Sequence, residues 1–260
     1  MAAVTIDLWH TLMYLSPEAE ERYMARQLAL GSEVLRRAPR LPGAPELSDQ
    51  ELERAFEKEY VDAVARSSEG KSVTPAEQLA RAARATGRDA DPHDYLAGLR
   101  AEVAKTPFLR APGALECLSE LRQRGYRVGV ISNTVGEPGA FLRPVLETMG
   151  FTRYVETFVF SDEQPWTKPA PEIFRYTLSC LSESPPDAVH VGDAWSDLEG
   201  ARRAGYRGAV LFTGLRSYGE SYRKLFLPDV PGAPSAQYRT DRLAEVSPIV
   251  EKLLPIPSPP

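Results

Sequence analysis

Asp7, Lys168, Asp193 and Asp197 are the side chains of this 260-residue chain best placed for covalent chemistry. Asp7 lies in a β-rich run over 4–9 and is followed closely by Trp9, His10 and Thr11. Ser132 and Asn133 close a second such run, 126–132, and Lys168 stands between Thr167 and Pro169. Lysine is scarce, six against twenty-five arginines, so the placement of Lys168 is informative. Asp193 and Asp197 bracket Ala194-Trp195-Ser196 after the run 188–192. A carboxylate can act as nucleophile, and an ammonium beside it keeps it ionised. Hydroxyl and amide donors can hold transferring oxygens, and a carboxylate pair suits a hard divalent cation. Each group has a plainer reading too. Asp7 could be an N-cap, Ser132-Asn133 turn material, Lys168 a solvated loop residue, and Asp193 and Asp197 caps of the next helix. Their order at successive strand ends is more specific than any one of them.

The elements that position these residues follow from punctuation and periodicity. After the first strand, about ninety residues carry helix signals and no strand signal. Ser16-Pro17, the capping boxes Ser48 to Glu51 and Thr74 to Glu77, and Asp91-Pro92 open helices over 17–38, 49–67, 75–86 and 92–105. From about Pro107 helices and strands alternate: helices over 112–124, 169–181 and 197–204, strands over 126–132, 158–161, 188–192 and 208–212. Alternation of this kind predicts an α/β fold with a parallel sheet, ligands gathering beyond the carboxyl ends of its strands. Residues 215–236 read as irregular, 238–240 as one more strand, and 255–260 as a frayed tail. The expected organisation is a core of 1–13 and 108–254, with a helical cap of 14–107 inserted after the first strand.

Asp7-Leu8-Trp9-His10-Thr11-Leu12, Ile131-Ser132-Asn133, Lys168-Pro169-Ala170-Pro171 and Val191-Gly192-Asp193 through Asp197 together resemble the four motifs of the haloacid dehalogenase-like hydrolases, in order, across residues 4–212. The resemblance implies a Rossmann-like core with a helical-bundle cap. It also implies attack by Asp7 through a covalent aspartyl intermediate, with Ser132 and Lys168 holding the transferring oxygens. Asn133, Trp9, His10 and Thr11 would line the substrate site. Mg²⁺ would be held by the Asp7 carboxylate, the Trp9 backbone carbonyl, Asp193, and Asp197 directly or through water.

One departure stands out. Phosphatases of this family usually carry a second Asp two residues after the nucleophile, and here that residue is Trp9, which exchanges no proton. An acid–base group there is worth roughly 10²–10⁴-fold. An aromatic at this position resembles the C-halogen-cleaving branch, but that branch works without metal and lacks the Asp at the place of Asp193. The leading expectation is therefore a Mg²⁺-dependent phosphatase-like hydrolase. A 2-haloacid dehalogenase and a catalytically idle binding protein are the alternatives. Trp9, Trp166 and Trp195 all flank the motifs, either as rim packing or as an aromatic-lined pocket. Arg22, Tyr23 and Arg26 on the first cap helix are candidate specificity contacts.

Composition narrows the setting. With 43% apolar and 26% charged residues the chain can fill a core, and a net charge of −5 offers no footprint for nucleic acid. No apolar run reaches the roughly 18 residues of a membrane span. The start has no signal-peptide core, and Cys117 and Cys180 make no disulfide framework. A cytoplasmic protein acting on a small-molecule substrate is expected.

Overall fold

In the computed structural model, residues 2–215, 217–226 and 236–255 are described. A six-stranded parallel sheet runs in the order β5-β4-β1-β6-β7-β8. Its strands are β1 (Ala3–Asp7), β4 (Arg127–Ser132), β5 (Thr157–Phe160), β6 (Ala188–Gly192), β7 (Gly208–Phe212) and β8 (Tyr238–Thr240). β1 is buried on both faces, as a central parallel strand covered by helices must be. Its side chains alternate. Val4 and Ile6 enter an apolar cluster with α5 (Ala114–Gln123), α6 (Gly139–Thr148) and α10 (Val246–Leu253). Ala3 enters a second cluster on the other face, built by α7 (Pro171–Cys180) and α8 (Trp195–Ala204). The chain therefore has a Rossmann-like α/β core.

Between β2 (Met13–Tyr14) and β3 (Leu109–Arg110) lies a bundle of α1 (Pro17–Arg37), α2 (Asp49–Ser68), α3 (Pro75–Thr86) and α4 (Pro92–Lys105). Met13 pairs with Arg110 and Tyr14 with Leu109, antiparallel, so the two strands that lead into and out of the bundle form a short neck. The helix starts follow the cap chemistry. Ser48 and Thr74 each accept from the backbone N–H three residues on, while Glu51 and Glu77 accept from the Ser48 and Thr74 amides at 2.8 Å. The bundle has its own apolar core, with Leu35, Leu52, Phe56, Leu79, Tyr95 and Leu99 at its centre.

Three helices arise where none is expected. α6 contains Pro144 in its interior, which costs it an internal hydrogen bond, and α10 carries Pro248 in its first turn, where no intrahelical bond is lost. Both are held by the sheet-covering core. α9 (Glu220–Phe226) falls inside the stretch 215–236 expected to be irregular. Seven residues are too few to hold a helix in isolation. Glu20 accepts from the Gly219 amide (2.7 Å), and Glu21 accepts from the amide and hydroxyl of Ser221 (2.6 and 2.7 Å), docking α9 on α1. The expected tail lies outside the described residues, apart from Pro255. Among the described residues no helix is long and apolar enough to cross a membrane, and Cys117 and Cys180 are both unpaired.

Candidate active site

The carboxyl ends of β1, β4 and β6, with the loop before α7, converge under the cap bundle. Asp7 ends β1, and its Oδ1 accepts from Lys168 Nζ while its Oδ2 accepts from the Thr11 hydroxyl at 3.2 Å. Lys168 also donates to Asp197 Oδ1 at 2.7 Å. That same oxygen accepts from His190 Nε2 at 3.0 Å, and Asp197 Oδ2 accepts from the Ala194 amide at 3.0 Å. A carboxylate oxygen only accepts, so His190 carries its proton on Nε2. Its Nδ1 lies 2.8 Å from the Thr5 hydroxyl. Asp197 is thus hydrogen-bonded through both oxygens. Gly192 makes room for it, since a Cβ there would stand 2.2 Å from Asp197 Cγ.

Asp7, Asp193 and Asp197 each present an oxygen within 4.8 Å of the others, an arrangement able to hold a metal ion. The electrostatics agree. Burial, then the charge of Asp197, pushes the Asp7 carboxyl up against the pull of Lys168. Burial, then Asp7 and Asp197, pushes Asp193 well up. Burial opposes ionisation of Asp197 most strongly, but Lys168 and His190 together bring it below its usual range. Two crowded carboxyls held up by burial and by like charge are what a divalent cation relieves. Asp193 has one oxygen engaged among the described residues, by the Tyr218 hydroxyl at 3.0 Å.

The other expected residues divide into two groups. Trp9 and Asn133 line the cavity with Asp7, Lys168, Asp193 and Asp197. Asn133 also clamps the Lys168 loop, accepting from its amide at 2.8 Å and donating to its carbonyl at 3.0 Å. The Ser132 hydroxyl, at the end of β4, is fully buried, does not line the cavity and has no hydrogen-bond partner among the described residues. Thr11 reaches only Asp7 of the catalytic group. His10 takes the left-handed backbone (φ 55°), and its side chain leaves the Asp7 cluster: Nε2 donates to Glu20 at 2.8 Å and the ring packs against Tyr218 and Tyr222. Of the tryptophans only Trp9 faces the cavity. Trp195 lines an adjoining opening and Trp166 packs on the α7–α8 core. Of the cap-helix candidates Tyr23 lines the cavity, Arg26 pairs with Glu33 at 2.6 Å, and Arg22 is exposed.

The cavity, of about 110 Å³, has a wall that sequence reasoning missed. Gln27 of α1, Tyr60 of α2 and Glu137 of the loop after β4 form it. Tyr60 donates to Gln27 Oε1 at 3.3 Å, and Gln27 Nε2 donates to Glu137 at 2.9 Å. Burial pushes the Glu137 carboxyl up to about 7, against the pull of Gln27, Trp9 and Tyr23. One signal was available. Glu20, Tyr23 and Gln27 share a face at three- and four-residue spacing within the buried stripe of α1, where polar side chains need a reason. The loop fits tightly, since a Cβ on Gly136 would stand 2.3 Å from Gln27 Oε1.

A family model described as haloacid dehalogenase-like hydrolase matches residues 1–205. The chain belongs to the haloacid dehalogenase-like hydrolase family. Among solved structures, this family member is similar to the HAD phosphatase from Thermococcus onnurineus, with a TM-score of 0.60 and 21% identity over 96% of this chain and 98% of that one. It is also similar to the L-2-haloacid dehalogenase from Xanthobacter autotrophicus, with a TM-score of 0.57 and 15% identity over 96% and 98%. Phosphatase and dehalogenase share this fold, so the fold does not choose the reaction. In sequence it is 27% identical over 150 residues to phosphoglycolate phosphatase 1 of Pseudomonas aeruginosa, a match covering 54% of this chain and 52% of that protein. The chain thus spans about half the length of that relative.

Proposed function

We propose that this family member is a Mg²⁺-dependent phosphohydrolase that cleaves a small phosphorylated metabolite, with the bundle of residues 14–107 as its cap. The observation that supports this most is Asp193, whose carboxylate shares the site with Asp7 and Asp197. An oxygen of Asp7 attacks phosphorus, the ester P–O bond breaks, and the alkoxide leaves and takes up a proton from solvent water. Water then hydrolyses the aspartyl phosphate, releasing inorganic phosphate and restoring Asp7. Lys168 keeps Asp7 ionised, while the unpartnered Ser132 hydroxyl and the Asn133 amide hold phosphoryl oxygens. Asp7, Asp193 and the Trp9 carbonyl would hold Mg²⁺, with Asp197 behind them. The bound ion supplies positive charge that offsets repulsion between the carboxylate and the phosphoryl group. Trp9 provides no proton to the leaving group, so esters of acidic alcohols should turn over fastest.

The test is phosphate release from p-nitrophenyl phosphate beside halide release from 2-chloropropionate, each with Mg²⁺ or EDTA. Phosphate release that needs Mg²⁺ and is lost in Asp7→Asn is expected. Halide release in EDTA would put the chain with the dehalogenases. No turnover of any phosphate ester, with a ligand that copurifies, would make it a binding protein.

A further inference from the structure

Five carboxylates line the cavity, Asp7, Glu20, Glu137, Asp193 and Asp197, and among the described residues Lys168 is the single cation there. Lys168 is committed to Asp7 and Asp197, and Glu20 is engaged by His10. The nearby Lys224 is exposed and lines an adjoining opening instead. Glu137 is 6% exposed and has no ion pair among the described residues. Beside it the Tyr23 hydroxyl, on a residue 5% exposed, has no partner in good hydrogen-bond geometry among the described residues, although it stands close enough to Glu137 and Gln27 to interact with both. This wall therefore offers a carboxylate and a phenol oxygen, with the aromatic residues Trp9 and Tyr60 also lining the cavity. An ammonium has three donors and no acceptor, and it is attracted to aromatic faces. The wall complements such a group. A carboxylate on the leaving group, as in 2-phosphoglycolate, would instead meet a buried like charge with no free cation among the described residues.

We propose that the Gln27–Tyr60–Glu137–Tyr23 wall binds a primary ammonium on the leaving group, so that the substrate class is the phosphate ester of a small amino alcohol. This specificity rests on the phosphohydrolase reading, and binding of non-hydrolysable phosphonates separates the two. Calorimetry on the full chain with Mg²⁺ compares 3-aminopropylphosphonate, butylphosphonate and 3-phosphonopropionate, which differ in ending in ammonium, methyl or carboxylate. The ammonium ligand should bind roughly 10- to 30-fold more tightly than the methyl one, the size of one desolvated cation contact. The carboxylate ligand should bind most weakly. Glu137→Gln should remove most of the preference for the ammonium ligand over butylphosphonate. Tighter binding of 3-phosphonopropionate, equal binding of the ammonium and methyl ligands, or no binding of all three would overturn the proposal, and each is read on the wild type alone. Phosphate release from p-nitrophenyl phosphate by the same preparation reports separately on the phosphohydrolase reading.

Discussion

Asp193 and Asp197 are four residues apart and chemically identical, yet their surroundings give them different work. Asp197 spends both oxygens on Lys168, His190 and the Ala194 amide, so it orders the ammonium beside Asp7. Asp193 meets Tyr218 through one oxygen and is held up by burial and by its two acidic neighbours. Asp193→Asn should therefore weaken Mg²⁺ binding more than Asp197→Asn does. Asp197→Asn should lower stability more, by roughly 1–3 kcal/mol, because the buried Lys168 and His190 lose a charged acceptor. Calorimetric titration and thermal melts of both variants check this. Equal Mg²⁺ affinities would return Asp197 to the metal.

Local element geometry decides whether these side chains can meet. The β6-to-α8 turn brings Asp197 back against Gly192, the last residue of β6, where a hydrogen is the only side chain that fits. Gly192→Ala should push the Asp197 carboxylate off Lys168 and cost about 1–3 kcal/mol, the range for overpacking a tight site. The expected signature is a lowered melting temperature together with a loss of turnover larger than the stability change explains. A variant with wild-type turnover and melting temperature would mean that the turn relaxes freely. At the other strand end, the 133–138 loop is tied by Asp162, which accepts from the Thr134 hydroxyl at 2.6 Å and the Gly139 amide at 3.0 Å. That tie sets where Glu137 enters the cavity.

At the scale of the whole molecule, packing of the cap on the core buries Glu137 with no cation paired to it among the described residues. Its carboxyl rises from near 4.5 to about 7 because burial outweighs the hydrogen bonds it receives. The folded state then holds the proton more tightly than the unfolded chain does. The resulting destabilisation is absent below pH 4.5, grows as pH rises towards 7 and is constant above it. Its full size is about 3 kcal/mol. Glu137→Gln should match the wild type at pH 4.5 and exceed it in stability at pH 8. Urea unfolding at the two pH values measures this, and parallel pH dependence in the two proteins would refute it. A bound ammonium would offset the same cost.

Much of this was legible in the chain because it is local. The capping boxes at Ser48 and Thr74, the proline-led helix starts and the alternation after Pro107 depend on neighbours a few residues away. Four motifs at strand ends likewise follow from strand position, since a parallel sheet sends every such end to one rim. The α6, α9 and α10 helices were not legible, because tertiary packing rather than propensity holds them. The pairing of His190 with Asp197 and the turning away of His10 towards Glu20 depend on rotamers and on a helix two hundred residues downstream. Gln27, Tyr60 and Glu137 come from two cap helices and a core loop, so no spacing in the sequence relates them. The residues suited to the reaction could be named from the chain alone. The Gln27–Tyr60–Glu137 wall of the cavity exists only once cap and core pack on each other, because long-range packing brings its parts together.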